Sequence, residues 1–268
     1  MKRHTWYWES KELSDTVRVN EVLKFLKGQE VDVIYIQYSS NTTATDYRNF
    51  IKKASSLGIE VHALLGSPSW YYEIAEVMTR LERIKNYNAG SNPEEMFVGI
   101  HFDIEPHTLP EWKDPETQPT VIATWLDTMK QYHSYIKLNL NLQISVSVPL
   151  ASKSIVYKDA PLYEHFLKYH DKIVVMSYRD FAEGSDSITY HAEKLFEVAT
   201  TCKRAGSAIY GVEIGPNVEA NKVTFGEEGK LKMEEEIRKA DYFFKSNYNL
   251  AFGGHAIHSV KHWMLATK

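Results

Sequence analysis

The chain has 268 residues and a formal net charge of -4, with 43% hydrophobic and 25% charged residues. This composition is typical of a folded globular protein and excludes a disordered chain or a fibrous repeat. The slight excess of acidic residues argues against nucleic acid as a partner, and no apolar run reaches the ~20 residues that cross a membrane. The single cysteine, Cys202, excludes an internal disulfide and a thiolate zinc cluster.

The amino terminus leads from Met1–His4 directly into a strand-like run and carries no apolar signal segment. Two interpretations of localisation remain open. The protein is either cytoplasmic, or secreted with its signal segment removed.

Strand-like runs rich in β-branched and aromatic residues alternate with helical patterns along the whole chain. The predicted strands are Thr5–Glu9, Val31–Tyr38, Glu60–Leu65, Phe97–Glu105, Leu142–Val148, Lys172–Tyr178, Ala208–Ile214 and Ala251–Ala256. The predicted helices are Val17–Leu26, Asp46–Leu57, Tyr72–Tyr87, Pro119–Ile136, Leu162–Tyr169, Ile188–Ala205, Leu231–Phe244 and His258–Leu265. Eight βα units in this length predict the α/β class and a single (β/α)8 TIM barrel, one domain over residues 1–268. The alternative, a doubly wound open sheet, more often has a glycine-rich turn after its first strand, and none follows here.

The fourth predicted strand carries the strongest chemical signal. Side chains alternate between the two faces of a strand, and one face is entirely apolar: Val98, Ile100, Phe102 and Ile104. The other face, with Gly99, His101, Asp103 and Glu105, therefore points into the barrel. Its polarity increases toward the carboxyl end of the strand, where the active sites of TIM barrels lie. We interpret these residues as catalytic, and the alternative is a structural hydrogen-bond network.

Other strand ends add polar residues to this site. Glu213 on the seventh predicted strand shares a face with Gly211 and Gly215, and these glycines indicate that the backbone lies close to a ligand. On the sixth strand, Tyr178 and Asp180 share a face with Met176. Gln37 is predicted to line the barrel, and His255 to flank its mouth.

Aromatic residues make up 13% of the chain, with 17 Tyr and 6 Trp, and aromatic rings form platforms on which sugars stack. Trp70 and Trp112 lie in the loops that follow the third and fourth predicted strands. A loop tryptophan either packs or binds a ligand. We predict that both of these bind sugar.

The fourth and sixth strands resemble those of glycoside hydrolase family 18, the chitinase-like barrels. That family has D-x-x-D-x-D-x-E on its fourth strand and M-x-Y-D on its sixth. Asp103 and Glu105 match the last two acidic positions of the first motif, and Met176 and Tyr178 match the second. The resemblance implies a sugar-cleaving barrel in which Glu105 donates a proton. It also implies that Asp103 orients and charge-stabilises a substrate acetamido group, to which Tyr178 donates a hydrogen bond.

The sequence departs from the family 18 pattern at other positions. Val98 and His101 occupy the first two Asp positions of the fourth-strand motif, and Arg179, followed by Asp180, occupies the Asp position of the sixth. We expect polar and aromatic residues around the acidic pair to bind substrate. The expected substrate-binding residues are His101, Gln37, Asp180, Arg179, Trp70, Trp112 and His255.

A second resemblance is to the clan A glycoside hydrolases, which carry an acid/base Glu at the end of the fourth strand and a nucleophilic Glu at the end of the seventh. Glu105, followed by Pro106, and Glu213 occupy these places, with Ile104 where the clan usually has Asn. This resemblance implies a retaining enzyme whose two carboxyl groups lie about 5–5.5 Å apart. Both resemblances give Glu105 the same role.

Two alternatives to a glycosidase remain open. His101, Asp103, Glu105 and His107 supply nitrogen and oxygen donors for a divalent ion, which would indicate a metal-dependent hydrolase or isomerase. A carbohydrate-binding barrel without catalysis would keep the aromatic residues and lose the acid. We expect a monomeric glycoside hydrolase that acts on an oligo- or polysaccharide, with N-acetylhexosamine as one candidate unit, and that uses no cofactor or metal.

Overall fold

The computed structural model describes residues 1–216 and 220–267. Within them, eight parallel strands form one closed barrel in the order β1-β8-β7-β6-β5-β4-β3-β2. The strands are β1 Lys2–Tyr7, β2 Val33–Gln37, β3 Glu60–Leu65, β4 Gly99–Phe102, β5 Gln143–Pro149, β6 Lys172–Met176, β7 Ala208–Glu213 and β8 Phe252–His258. The predicted (β/α)8 TIM barrel is confirmed.

A helix follows each barrel strand in these residues. The helices are α1 Thr16–Gly28, α2 Ala44–Ser56, α3 Ile74–Ala89, α4 Gln118–Asn139, α5 Leu162–Leu167, α6 Ile188–Thr201, α7 Gly229–Asn247 and α8 Val260–Leu265. A one-turn helix, Pro110–Lys113, lies in the loop after β4, and a short antiparallel ribbon joins Val156–Tyr157 to Ala160–Pro161. None of the helices in the described ranges is long and apolar enough to cross a membrane.

Side-chain caps fix where several helices begin. The side chain of Asp15 accepts hydrogen bonds from the first backbone N–H groups of α1, and Thr43 and Ser187 do the same for α2 and α6. Such caps satisfy N–H groups that have no partner inside the helix. The helix α6 ends at Thr201, four residues before the predicted end, and Lys203 next to this end has a positive φ of 54°. A backbone in the left-handed region does not continue a right-handed helix.

The strand β1 differs from its prediction at both ends. It begins at Lys2 rather than Thr5, because Lys2–Thr5 pair with Gly254–Ile257 of β8. It ends at Tyr7, which leaves Trp8 and Glu9 beyond the strand. The pairing that lengthens β1 joins residues at opposite ends of the chain and has no local sequence signal.

The chain divides into two compact units: Tyr7–Val146, called here the 7–146 unit, and Met1–Trp6 with Ser147–Lys268, called the 147–268 unit. Each has an aromatic core between its strands and its helices. In the 7–146 unit, Phe102 of β4 stacks on Tyr132 of α4, with ring centroids 5.4 Å apart. In the 147–268 unit, Phe196 of α6 stacks on Phe244 of α7, with centroids 3.9 Å apart.

Candidate active site

Asp103 and Glu105 follow directly after β4 in the 7–146 unit. The backbone N–H of Asp103 donates to the carbonyl of Leu65 at 2.8 Å, so the pairing with β3 continues past the last strand residue. Ile104 is fully buried, whereas Asp103 and Glu105 are partly exposed. The alternation predicted from the sequence therefore persists to Glu105. Both carboxylates lie at the carboxyl end of a barrel strand, the end where catalytic residues of TIM barrels are found.

A short turn fixes the backbone of Glu105. Pro106–Thr108 form a single 3-10 turn, and both the backbone N–H and the hydroxyl of Thr108 donate to the carbonyl of Glu105, at 3.1 and 2.9 Å. The two bonds keep the Glu105 carbonyl directed toward Thr108.

Gly66 makes room for Asp103. A Cβ built on Gly66, which follows β3, would lie 2.9 Å from the carbonyl oxygen of Asp103 and 3.2 Å from its Cβ. It would also lie 3.2 Å from Cη2 of Trp8. Any larger residue would therefore have to displace the end of β4 or the indole. Sequence reasoning assigned no role to Gly66, although a glycine immediately after a barrel strand was a signal for such a close approach.

His101 belongs to the buried interior of the 7–146 unit. Its side chain is 0% exposed and stacks on Tyr35 of β2, with ring centroids 3.7 Å apart and planes 8° apart. Its Nδ1 forms a 2.8 Å hydrogen bond with Oγ of Ser145 on β5. These contacts leave His101 no surface for a substrate, so the predicted substrate-binding role is corrected. His62 of β3 extends this interior cluster, because its ring lies 5.8 Å from that of Tyr35.

Trp112 packs inside the protein. It is 7% exposed and makes edge contacts with Trp125 of α4 and with His107, at centroid distances of 6.0 and 6.5 Å. The prediction that Trp112 is a sugar platform is therefore corrected. Burial lowers the pKa of His107 to about 4, so this imidazole is neutral at physiological pH.

Trp70 and Gln37 are partly exposed in the same unit. The guanidinium of Arg80 lies over the indole of Trp70, 4.8 Å from the ring centroid, in cation–π geometry. Gln37 is the last residue of β2, and its backbone carbonyl accepts a 2.8 Å hydrogen bond from the hydroxyl of Tyr47. Both residues keep surface that a ligand can reach.

Glu213 and His258 form a hydrogen-bonded pair at the carboxyl ends of β7 and β8 in the 147–268 unit. They are partners in the strand register. Nδ1 of His258 lies 2.7 Å from Oε2 of Glu213. The other carboxylate oxygen, Oε1, accepts from the backbone N–H groups of Ile214 and Gly215, at 2.8 and 2.5 Å. Donors of the protein therefore occupy both oxygens of Glu213. Sequence reasoning assigned no role to His258.

Tyr178 lies next to this pair. Its ring centroid is 6.1 Å from that of His258, whose ring also contacts Trp6 of β1 edge-on at 5.5 Å. A Cβ on Gly211 of β7 would lie 3.3 Å from Cε1 of Tyr178, and a Cβ on Gly215 would meet the ring of His262. The two glycines thus accommodate side chains of the protein itself. The interpretation that they mark a close ligand is corrected.

The guanidinium of Arg179 is hydrogen-bonded within its own loop. The residue is 8% exposed and donates to the carbonyl of Tyr178 at 2.7 Å and to Oδ1 of Asp186 at 2.6 Å. Asp186 is also hydrogen-bonded to Nε2 of His191 at 2.6 Å and to Nζ of Lys222 at 2.7 Å. These bonds, that from Arg179 first, hold the pKa of Asp186 well below its usual range. Arg179 therefore braces the loop after β6, and the predicted contact with substrate is corrected.

His255 lies on the opposite face of β8 from His258. It is 2% exposed, accepts from Nε of Arg3 at 3.0 Å and donates through Nδ1 to Asp241 of α7 at 3.1 Å. The predicted position at the barrel mouth is corrected, because this side chain faces the helix. Asp180 is partly exposed, and its backbone N–H donates to the carbonyl of Lys222 at 3.1 Å.

The described ranges, 1–216 and 220–267, contain no group of three or more His, Cys, Asp or Glu side chains able to hold a metal ion. His101, Asp103 and Glu105 succeed one another along one strand, and the His101 imidazole is engaged by Tyr35 and Ser145. The donor set that the metal-dependent alternative requires is therefore not assembled among these residues.

No protein-family model and no curated protein matches the sequence. Solved structures do match the fold. The spore cortex-lytic enzyme SleL of Bacillus megaterium QM B1551 aligns with 98% of this chain and 72% of its own, at a TM-score of 0.55 and 12% identity. The class V chitinase from Nicotiana tobaccum aligns with 97% of this chain and 98% of its own, at a TM-score of 0.52 and 8% identity.

The fold is a TIM barrel, as in these two enzymes. A mutant of the tobacco chitinase was solved in complex with NAG4. D-psicose 3-epimerase from Clostridium cellulolyticum H10 also matches, over 97% of this chain and 84% of its own, at a TM-score of 0.51 and 11% identity. At such identities the similarity establishes the fold and leaves the reaction to the residues of the site.

Proposed function

We propose that the protein is a glycoside hydrolase that cleaves an oligo- or polysaccharide containing N-acetylhexosamine, with Glu105 as general acid/base. The observation that carries this proposal is the position of Asp103 and Glu105, two partly exposed carboxylates at the carboxyl end of β4. Catalytic residues of TIM barrels lie at this end. The names of two fold neighbours, a cortex-lytic enzyme and a chitinase, support the same reaction class.

In the proposed mechanism the carboxylic acid of Glu105 protonates the glycosidic oxygen as its bond to the anomeric carbon breaks. The acetamido oxygen of the same sugar attacks that carbon, while Asp103 stabilises the positive charge on the acetamido nitrogen. The Glu105 carboxylate then removes a proton from water, which attacks the anomeric carbon and releases the acetamido oxygen. Each step uses Glu105 in the protonation state left by the previous one.

The surroundings of Glu213 favour this substrate-assisted route over a protein nucleophile. In a retaining enzyme of the clan A type, an oxygen of Glu213 would attack the anomeric carbon. Here Oε1 accepts from two backbone N–H groups and Oε2 is bonded to His258. These charge-assisted hydrogen bonds withdraw electron density from both oxygens and so lower the nucleophilicity of the Glu213 carboxylate.

The test of the proposed function is Glu105→Gln assayed on chito-oligosaccharides, with reducing-end release measured by chromatography. We expect turnover to fall by about 10²–10⁴-fold, the usual contribution of a general acid. The melting temperature should stay equal or rise, because the amide of Gln cannot ionise and therefore cannot repel the carboxylate of Asp103. Glu111→Gln, in the exposed loop after β4, is the matched control and should behave as the wild type. Wild-type turnover in Glu105→Gln would refute the proposal.

A further inference from the structure

We propose that Arg80 and Arg83, beside the indole of Trp70, bind a carboxylate carried by a sugar unit of the substrate. This inference rests on the proposed glycosidase function and narrows its substrate class to acidic oligosaccharides. The three residues belong to the 7–146 unit, which also contains Glu105. Neither family resemblance assigns a role to either arginine.

The turn that carries Trp70 is fixed beside the turn that follows Glu105. Pro68–Tyr71 form a 3-10 turn after β3, and this turn lies against the turn Pro106–Thr108. Two side-chain hydroxyl groups of α4 donate to backbone carbonyls of the first turn, at 2.9 and 2.7 Å: Tyr132 to Trp70 and Thr128 to Tyr71. The partly exposed indole is therefore a preorganised surface next to the proposed acid.

The guanidinium of Arg80 lies over this indole and keeps most of its donors unused. Its Cζ is 4.8 Å from the ring centroid, and Nη2 donates to Glu76 at 2.7 Å. Nε donates to no group in the described ranges, and the side chain is 21% exposed. A guanidinium has five N–H donors in a planar fork, which binds a carboxylate through two parallel hydrogen bonds. The indole and Glu76 hold the plane of this fork in place before a ligand arrives.

Arg83 brings a second positive charge to the same face of α3. Residues three apart on a helix are neighbours, and helical side chains lean toward the helix amino terminus, which for α3 is the end next to the loop of Trp70. Arg83 is exposed and forms no ion pair within residues 1–216 and 220–267. Both arginine charges act on Tyr38, which follows β2, and oppose the burial that raises its pKa. Two cationic and two aromatic side chains therefore come together between the ends of β2 and β3.

A second stacked arginine in the same unit provides the control. The guanidinium of Arg48 lies over the ring of Tyr87, 5.5 Å from its centroid. Its Nε and Nη2 donate to the hydroxyl of Ser91 and to the carbonyl of Gly90, at 3.1 and 3.0 Å. These partners follow the carboxyl end of α3, away from Trp70. Arg48→Gln therefore removes a stacked guanidinium whose fork is already occupied by the protein.

The test measures affinities by titration calorimetry on Glu105→Gln, so that the result does not depend on turnover. The probes are a neutral chito-oligosaccharide, the same oligosaccharide with a carboxylate at C6, and one with a carboxylate on an ether substituent at O3. We expect the better acidic probe to bind about 10-fold more tightly than the neutral one, the contribution of one charged hydrogen-bonded pair. This preference should shrink as the salt concentration rises, because the site is partly exposed. The comparison of the two acidic probes identifies the position of the carboxylate.

Substitutions of the arginines, added to Glu105→Gln, assign the preference. Arg80→Gln should abolish it and leave the affinity for the neutral probe unchanged. Arg83→Gln should reduce it by about 2-fold, as expected for an exposed charge. Arg48→Gln should keep it in full and only lower the melting temperature.

Three results would overturn the inference: equal affinities for all three probes, binding of none of them, or an equal loss of affinity for neutral and acidic probes in Arg80→Gln. The last result would make Arg80 a support for the indole alone. The proposed function fails separately, when Glu105→Gln keeps full turnover.

Discussion

The substitution Gly66→Ala tests whether the close approach of β3 to Asp103 sets the active-site geometry. The new methyl carbon would lie 2.9 Å from the carbonyl oxygen of Asp103, a distance that backbone atoms must relieve by moving. Ordinary contact begins near 3.4 Å, so relief requires a displacement of about 0.5 Å. Such overpacking costs about 1–3 kcal/mol of unfolding free energy. A catalytic group displaced by about 1 Å can lose about 10²-fold in rate, so we expect kcat for chito-oligosaccharides to fall about 10-fold.

The matched control for this substitution is Gly28→Ala. Gly28 is the last residue of α1, and a Cβ there meets nothing within 4 Å. Alanine at this site should leave kcat unchanged and keep or raise stability, since alanine favours the helix. Urea denaturation and steady-state kinetics on both variants decide the matter. If Gly66→Ala is as stable and as active as Gly28→Ala, the proposed coupling between β3 and Asp103 is refuted.

Three further predictions concern residues in the loops after β4 and β6. Asp186→Asn should destabilise the protein at pH 7, because the lowered pKa of Asp186 stabilises the folded state there. The difference in unfolding free energy from the wild type should shrink as the pH falls below about 4, where the unfolded carboxyl takes up a proton. A difference that does not depend on pH in urea denaturation would contradict this. Burial lowers the pKa of His107 to about 4, so the unfolded imidazole takes up a proton at a higher pH than the folded one. Between pH 7 and pH 4, the free energy of unfolding of the wild type should therefore fall by up to about 3 kcal/mol relative to that of His107→Phe. A difference in unfolding free energy between wild type and His107→Phe that stays constant from pH 7 to pH 4 would show that the His107 imidazole is solvated. Trp112→Ala should cost about 3–5 kcal/mol and leave KM unchanged, because the indole is packed on Trp125; a raised KM at unchanged stability would restore the sugar-platform role.

The sequence alone predicted the barrel and the face of the fourth strand on which Asp103 and Glu105 lie. Periods of two and 3.6 residues are local, and their alternation eight times along the chain predicts eight βα units. The same local alternation places Asp103 and Glu105 on the face opposite Ile104, and the structure keeps Ile104 buried and both acids partly exposed. Both predictions depend on local backbone geometry, which is determined by residues that are neighbours in the sequence.

Tertiary structure decided which of the other polar residues are buried against the protein and which keep exposed surface. His255 and His258 lie three residues apart on one strand, and their surroundings differ because one contacts Asp241 of α7 and the other Glu213 of β7. The indole of Trp112 is buried because Trp125 lies against it, which its loop position does not reveal. In each case the deciding partner is distant in sequence, as for Glu213 and His258, which are 45 residues apart. A side chain's role depends on which groups the fold brings within hydrogen-bond or van der Waals distance, and local sequence does not encode those distances.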